Sequence, residues 1–202
     1  MKNTEVFSNL PFLKIITTLN MLLLMFFVIQ PGWCISYDMI DIEIIGDGFF
    51  AEAMDINDAG QVVGAFDRGD GRLHAFIWDN DNGMYDIKAF PGGYEDEEIT
   101  KNIQLIGYFS EAFGVNESGQ VVGWSEISKN ICNAFIWDKS SGMKSLGVLG
   151  GAMSRANSIN NTGQVVGWSD VDDKTHHAFI WNNENGMRDL GTLGGKNSEA
   201  RF

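Results

Sequence analysis

The residues best suited to metal chemistry are histidines with aspartates near them in sequence. His74 and His177 stand at the same position of a repeated block. Further candidate ligands accompany the second of them, namely His176, Asp170, Asp172 and Asp173. Zinc needs three or four converging ligands. Because the second copy of the block has Asn133 at the histidine position, we predict a hydrogen-bonding role for this position and assign no metal ligands.

The segment Asp79–Gly83 has the acidic composition of a calcium-binding loop. A calcium loop of the EF-hand type requires a glycine at its sixth position and a distant bidentate carboxylate. Neither spacing is met, and the equivalent segments 138–142 and 182–186 lose carboxylates. We therefore predict a hairpin turn here, with weak incidental calcium binding as the alternative.

Two short segments resemble known ligand-binding motifs but lack the sequence context that those motifs require. Residues 191–198 resemble a phosphate-binding loop, yet the spacing is wrong and the copy at 147–152 has no lysine. The tripeptide Arg68-Gly69-Asp70 matches a cell-adhesion motif, but the other copies lack it. Three-residue matches arise easily by chance. We assign neither a phosphate site nor an adhesion site.

Trp124 and Trp168 each follow a Gln-Val-Val-Gly segment. They could form a stacking surface for a sugar, but aromatic residues inside repeats more often pack between sheets, and we favour packing. Cys132 has no catalytic partner near it in sequence, and we predict that it is a small apolar residue near a strand end. No nucleophile elbow, carboxylate pair or Cys/His pair is evident. We therefore predict no catalytic residues, no cofactor and no enzymatic activity.

The composition is that of a folded, acidic protein. The chain has 202 residues, of which 44% are hydrophobic, and its net charge is -13. Such a charge repels phosphate backbones, so nucleic acid is excluded as a partner. The 24 glycines and 3 prolines indicate many tight turns rather than a proline-rich linker.

The first 36 residues have the features of a signal peptide. Lys2 and Lys14 precede the mainly apolar segment 15–29, which as a helix spans only about 22 Å, less than the hydrocarbon core of a bilayer. Small residues then allow cleavage before Tyr37. We predict an N-terminal hydrophobic signal helix and a secreted or cell-envelope location, either periplasmic or extracellular. The alternative is an uncleaved membrane anchor formed by residues 15–29.

Three copies of one unit make up the rest of the chain. The block Ile-Asn-x-x-Gly-Gln-Val-Val-Gly begins at Ile56 and recurs, with small changes, at Val115 and Ile159. A second block, His-Ala-Phe-Ile-Trp or its variant, and a Gly-Met pair follow each time. The spacings indicate a period of about 44 residues, with an insertion at about 94–109. The repeats span about 49–93, 110–151 and 154–195, and a further unit starts at 196–202.

Each unit contains four short apolar runs separated by turn residues, which predicts four antiparallel strands. In the first copy these are 53–57, 61–66, 74–79 and 84–90. The third strand is apolar on both faces, so both faces need covering, as in stacked sheets. We predict an all-β array of four-stranded antiparallel sheets, a partial β-propeller, with a β-solenoid as the alternative. Residues 39–46 are predicted to be an isolated fourth strand that precedes the first unit.

These blocks resemble the HAF family of probable extracellular repeats over residues 39–202. The likeness depends on Ile-Asn-x-x-Gly-Gln-Val-Val-Gly, His-Ala-Phe-Ile-Trp and Gly-Met-x-Asp-Leu-Gly-x-Leu-Gly-Gly. The resemblance implies export and repeat architecture without implying a substrate. The chain departs from the pattern at Asn133 and in the segment 87–91.

The functional expectation is a non-catalytic binding module at or outside the cell surface, whose partner is an unknown protein or glycan. Two alternatives stay open: a fragment of a secreted carbohydrate-active propeller enzyme, and a truncated remnant of a longer repeat protein. Three sheets are fewer than the ~4–8 blades of a closed propeller. Self-association to close the array, or an open stack, is therefore expected. Membrane contact is expected only through an uncleaved N-terminal segment.

Overall fold

A computed structural model describes residues 39–90, 109–128 and 130–201. The predicted signal peptide and nearly all of the insertion at 94–109 lie outside these residues. The described residues contain twelve strands, all within the compact unit Asp41–Phe202. They are β1 (Ala51–Ile56), β2 (Val62–Asp67), β3 (Leu73–Asp79), β4 (Gly83–Asp86), β5 (Ser110–Val115), β6 (Val121–Ser128), β7 (Ile131–Asp138), β8 (Gly142–Gly147), β9 (Ser154–Ile159), β10 (Val165–Asp170), β11 (His176–Asn182) and β12 (Gly186–Gly191).

The strands form three four-stranded antiparallel sheets in which sequence neighbours pair. Sheet 1 contains β1–β4, sheet 2 contains β5–β8 and sheet 3 contains β9–β12. The prediction of an all-β array of four-stranded sheets is confirmed. Within the described ranges, no helix is long and apolar enough to cross a membrane.

Two predicted strands differ from the observed ones. The fourth strand of the first copy ends at Asp86 rather than at residue 90, and Lys88 beyond it has a positive φ of 67°. Residues 39–46 form no strand among the described residues. Ile42 and Ile44 nevertheless pack on sheet 1. A strand needs a hydrogen-bonded neighbour, and this segment has none, so only its apolar contacts are made.

The sheets pack through two chemically distinct faces, which explains why the third strands are apolar on both sides. One face carries the phenylalanine and tryptophan of each third strand (the Phe/Trp face), and the other carries its alanine and isoleucine (the Ala/Ile face). The Ala/Ile face of sheet 1 contacts Phe135 and Trp137 of sheet 2. The Ala/Ile face of sheet 2 contacts Phe179 and Trp181 of sheet 3 in the same way. The prediction that both faces are covered is confirmed for the central sheet.

The Ala/Ile face of sheet 3 is open to solvent in the described part of the chain. Leu190 is 49% exposed, whereas its equivalents Leu146 and Ile87 are each 6% exposed. Ile180 is half-buried, although Ile77 and Ile136 at the same position are buried. The difference arises because no described sheet follows sheet 3.

Hydroxyl groups connect each sheet to the next. Ser110 Oγ accepts a hydrogen bond from the Ala75 N–H at 2.9 Å, and Ser154 Oγ accepts one from the Ala134 N–H at 2.8 Å. Ser198 Oγ accepts a hydrogen bond from Ala178 in the same manner, at 2.9 Å. Ser198 therefore lies beside sheet 3 as Ser110 and Ser154 lie beside sheets 1 and 2, and the Ala200 N–H donates to the Gly167 carbonyl at 3.2 Å.

Sheet 1 lacks the corresponding hydroxyls. The cross-strand pairs Ser110–Ser125 and Ser154–Ser169 are replaced by Ala51–Phe66. Phe66 is fully buried and packs with Phe76 in the cluster that Ile42 and Ile44 cover. Sheet 1 is thus finished by apolar packing rather than by hydrogen bonds to a preceding sheet.

Candidate functional site

In each sheet, the turn between the first and second strands and the turn between the third and fourth strands lie at one end of the array, here called the hairpin end. The first turn begins at Asn57, whose Oδ1 accepts the Gln61 N–H at 2.8 Å while its Nδ2 donates to Gln61 Oε1 at 2.8 Å. Gly60 has φ of 77°, a conformation that favours glycine. Sheets 2 and 3 repeat this turn, so the predicted Asn-x-x-Gly hairpin is confirmed.

These turns form a ladder from sheet to sheet. Asn57 Nδ2 donates to the Asn116 carbonyl at 2.9 Å, and Asn116 Nδ2 donates to the Asn160 carbonyl at 3.1 Å. The Glu117 carboxylate accepts the Asp58 N–H, and the Glu117 N–H donates in turn to Asn161 Oδ1. The ladder fixes successive hairpins in the same orientation, so surfaces between them repeat.

The second turn at this end is the segment that resembled a calcium loop. Asp79 Oδ1 accepts the N–H groups of Asp81 and Asn82 at 3.0 and 2.8 Å. Asp138 and Asn182 make the same contacts in the other copies. Hydrogen bonds from Asn82 lower the pKa of Asp79, and those from Ser140 and Ser141 lower the pKa of Asp138. The predicted hairpin turn is confirmed, and these carboxylates already serve their own turns.

Two clefts of matching composition open between the hairpins of adjacent sheets. The first, between sheets 1 and 2, has a volume of about 260 Å³, and the second, between sheets 2 and 3, about 520 Å³. Equivalent residues line both, including Gln61, Asp79, Ser118, Trp137 and Lys139 in the first and Gln120, Asp138, Thr162, Trp181 and Asn183 in the second. These clefts have no signal within a single repeat, because their walls come from different repeats.

A side chain of the preceding sheet lies over the tryptophan of each cleft. The Tyr85 ring lies 5.7 Å from the Trp137 ring at an interplanar angle of 36°. In the second cleft, Lys144 Nζ lies 5.2 Å from the centre of the Trp181 ring and donates to Asn183 Oδ1 at 2.9 Å. Tyr85 is 52% exposed, whereas the two tryptophans are 6% exposed. The accessible aromatic surface of the first cleft is therefore mainly that of Tyr85.

The opposite end of the array contains the histidines. His74 Nδ1 lies 3.2 Å from Asp86 Oδ1, and its Nε2 lies 3.2 Å from Asp70 Oδ2. His177 Nδ1 lies 2.9 Å from Asp189 Oδ2. The predicted hydrogen-bonding role is confirmed for both histidines. In sheet 2, asparagine replaces the histidine and serine replaces the aspartate. The two side chains still pair, because Asn133 Nδ2 donates to Ser145 Oγ at 2.7 Å.

The aspartate partners were missed because they lie twelve residues from the histidines. A signal was present in the sequence, since Asp86 and Asp189 hold the same repeat position and Ser145 accompanies Asn133. His176 lies apart from these pairs, with its ring 5.3 Å from that of Trp168. Among the described residues, no group of three or more His, Cys, Asp or Glu side chains is arranged to hold a metal ion.

The adhesion-like tripeptide makes contacts within sheet 1. Arg68 Nη1 lies 3.4 Å from Asp86 Oδ2, and Asp70 contacts His74 and Arg72. The phosphate-like segment 191–198 also has an internal role, because Ser198 Oγ donates to the Gly191 carbonyl at 2.6 Å.

Trp124 and Trp168 lie outside the buried clusters between sheets, which differs from the packing predicted for them. Both are half-buried, and Trp124 Nε1 donates to Glu111 Oε2 at 3.1 Å. They do not line either cleft at the hairpin end. Cys132 is half-buried near the start of β7, as predicted, and burial raises the pKa of its thiol to about 11.

A family model described as Protein of unknown function (DUF3466) matches residues 49–193. The chain belongs to this family. The matched residues contain all twelve strands and both clefts, so the DUF3466 region and the array of sheets coincide. No match to the chain was found among curated proteins or among solved structures.

Proposed function

We propose that the chain is an exported, non-catalytic binding module whose partner contacts the hairpin end. The observation that carries this proposal is the pair of equivalent clefts, which the Asn57–Asn116–Asn160 ladder holds in one orientation. Repeat proteins commonly bind through a surface that successive units build together. The equivalent lining of the two clefts fits such a surface.

We further propose a propeller-like arrangement of the sheets. The first strands β1, β5 and β9 lie against one another in turn, whereas the fourth strands β8 and β12 make few contacts. Sheets that meet closely at their first strands and diverge at their fourth resemble blades more than layers of a flat solenoid. The resemblance to HAF-type extracellular repeats supports an exported location.

The chemistry of the clefts supports binding rather than catalysis. Asp79 and Asp138 have lowered pKa values and are already hydrogen bonded within their turns, so they are poorly suited to take up a proton near neutral pH. The histidines lie at the opposite end of the strands, paired with Asp86 and Asp189. We therefore assign no catalytic residue.

A photo-crosslinker placed at either end tests the binding surface. We expect a probe at Lys139, on the hairpin end, to label a partner protein or glycan from the extracellular fraction in a saturable manner. A matched probe at Lys174, on an exposed turn at the opposite end, should not do so. Equal labelling from both positions, or none from either, would contradict the proposal.

Export is tested on the full chain. We expect mass spectrometry of the exported protein to find an N-terminus at Tyr37. Recovery of the intact N-terminus in the membrane fraction would support the anchored alternative through residues 15–29, and recovery from the cytosol alone would refute export.

A further inference from the structure

We infer that the two clefts bind a neutral polysaccharide, with successive parts of one glycan chain lying in successive clefts. This inference rests on the proposed binding role of the hairpin end and assigns a ligand class to it. Four features of the described residues support it: charge balance, available hydrogen-bonding groups, an exposed aromatic ring and the repetition of the site.

Each cleft contains one carboxylate and one ammonium group. Asp79 and Lys139 line the first cleft, and Asp138 and Lys144 line the second. Such a site gives no net attraction to an ionic ligand, and the net charge of -13 repels polyanions. The balance favours a ligand without charge.

Polar groups that suit hydroxyl-rich ligands line both clefts. Gln61 and Gln120 each accept a hydrogen bond at Oε1 from the asparagine of their own turn, at 2.8 Å. Their Nε2 groups donate to no described residue and are available to a ligand oxygen. Ser118 and Thr162 add a hydroxyl at the equivalent place in each cleft. A sugar both donates and accepts through its hydroxyls, so it can use these groups without carrying a charge.

Tyr85 provides the flat surface that a sugar ring needs. Tyr85 is 52% exposed, and its ring lies 5.7 Å from the ring of Trp137. An aromatic ring of this kind combines an apolar face with a polar hydroxyl at its tip. In the second cleft, Lys144 takes the position of Tyr85, with its Nζ 5.2 Å from the centre of the Trp181 ring and donating a hydrogen bond to Asn183 Oδ1.

The repetition of the site favours a polymer over a single small molecule. Stacked sheets are about 10 Å apart, so the glutamine, aspartate, hydroxyl and tryptophan that the clefts share are presented at about that interval. A ligand with its own repeat can occupy both clefts at once, and its second contact then forms at a high effective concentration. The exposed lining of both clefts combines apolar surface with amides, hydroxyls and charged groups, which suits a sugar ring with its apolar face and its hydroxyls.

Affinity electrophoresis in native gels tests the inference with defined probes. We expect at least one of mixed-linkage β-glucan, galactomannan and xylan to retard the protein. Alginate and polygalacturonate, which are anionic, should have no effect. The double variant Tyr85→Ala/Lys144→Ala should lower the association constant for the neutral polysaccharide at least tenfold.

Arg188→Ala is the matched control, because Arg188 holds the position of Tyr85 and Lys144 on sheet 3, where no described sheet completes a cleft. This variant should bind as the unchanged protein does. All three replaced side chains are at least partly exposed, and thermal unfolding within about 2 °C of the unchanged protein would confirm that the variants fold.

Retardation by none of the three neutral polysaccharides would overturn the inference. So would stronger retardation by the anionic polymers, or equal binding by the double variant and the Arg188→Ala control. If the Lys139 crosslinker captures a protein at the clefts, the binding module stands and the glycan assignment falls. If it captures nothing, both fall.

Discussion

The Ala/Ile faces of sheets 1 and 2 are buried, whereas the same face of sheet 3 is largely open, although all three come from one repeated sequence. Ile87 and Leu146 lie under the next sheet, and Leu190 does not. The apolar pattern therefore shows which residues a neighbour would cover, and the neighbour alone determines whether they are buried. In a repeat protein much of the stability resides in such interfaces rather than in the single unit.

Tryptophan removal should give the largest contrast between covered and uncovered faces. Trp137 lies in the cluster between sheets 1 and 2, so Trp137→Ala should lower the free energy of unfolding by about 3–5 kcal/mol through a cavity. Trp78 is only partly buried, and Trp78→Ala should cost about half as much. Equilibrium denaturant unfolding measures both. A loss below about 1 kcal/mol for Trp137→Ala would show that this side chain does not support the interface.

The same comparison can be made with leucines on the other face. Leu146→Ala should cost about 2–4 kcal/mol, because Leu146 is packed between sheets 2 and 3. Leu190→Ala should cost less than about 1 kcal/mol, since nearly half of this residue is already in solvent. Equal losses for the two variants would mean that another surface covers sheet 3 in solution.

The serine hydrogen bonds allow the same comparison between a covered junction and the open side of sheet 3. Ser154→Ala leaves the buried N–H of Ala134 without its acceptor and should cost about 1–3 kcal/mol. Ser198→Ala removes the same bond at the open side, where water can replace the hydroxyl, and should cost less than about 1 kcal/mol. Chemical denaturation of the two variants side by side distinguishes these outcomes.

The smallest expected effect is on the pH dependence of stability. It should differ between the His74–Asp86 pair of sheet 1 and the neutral Asn133–Ser145 pair of sheet 2. The hydrogen bond to Asp86 raises the pKa of His74, in spite of burial, and the nearby Asp70 adds to this. The folded state therefore holds the histidine proton more tightly than the unfolded state. This stability is fully present below the unfolded pKa of about 6.5 and is lost as the pH rises through the raised folded value.

The pKa of Asp86 shifts in the opposite direction. Burial raises it, but the hydrogen bond and charge of His74 outweigh burial, and the net pKa is lowered. Its contribution is present above about pH 4 and is lost as the pH falls through the lowered value. His74→Asn should therefore cost about 1 kcal/mol near pH 5.5 and less at pH 9. Denaturant unfolding at both pH values measures this cost. An equal cost at pH 5.5 and pH 9 would contradict the prediction.

The strands and turns of the array were predictable because each unit repeats its local signals. The alternation of apolar residues, the Asn-x-x-Gly turns and the doubly apolar third strands appear three times, which removes the ambiguity of a single segment. The confirmed Gly60 conformation depends only on these local patterns, whereas the burial of Phe135 and Phe179 also requires the preceding sheet.

The clefts and the connections between sheets were not predictable in the same way. They depend on how one unit lies on the next, as in the contact of Tyr85 with Trp137 or of Ser154 with Ala134. The segment 39–46 was wrongly expected to be a strand because its sequence resembles β12. Its isoleucines pack on sheet 1, but no strand lies beside the segment among the described residues to form hydrogen bonds with it.

The replacement of two serines by Ala51 and Phe66 gives the array a direction. A duplicated unit placed after sheet 3 would find the Ser198 hydroxyl already bonded to the Ala178 N–H, as at the two existing junctions. In a duplicated unit placed before sheet 1, the N–H of the third-strand alanine would face the methyl group of Ala51, which cannot accept a hydrogen bond. Lengthening by tandem duplication is therefore chemically easy on one side of the molecule and costly on the other.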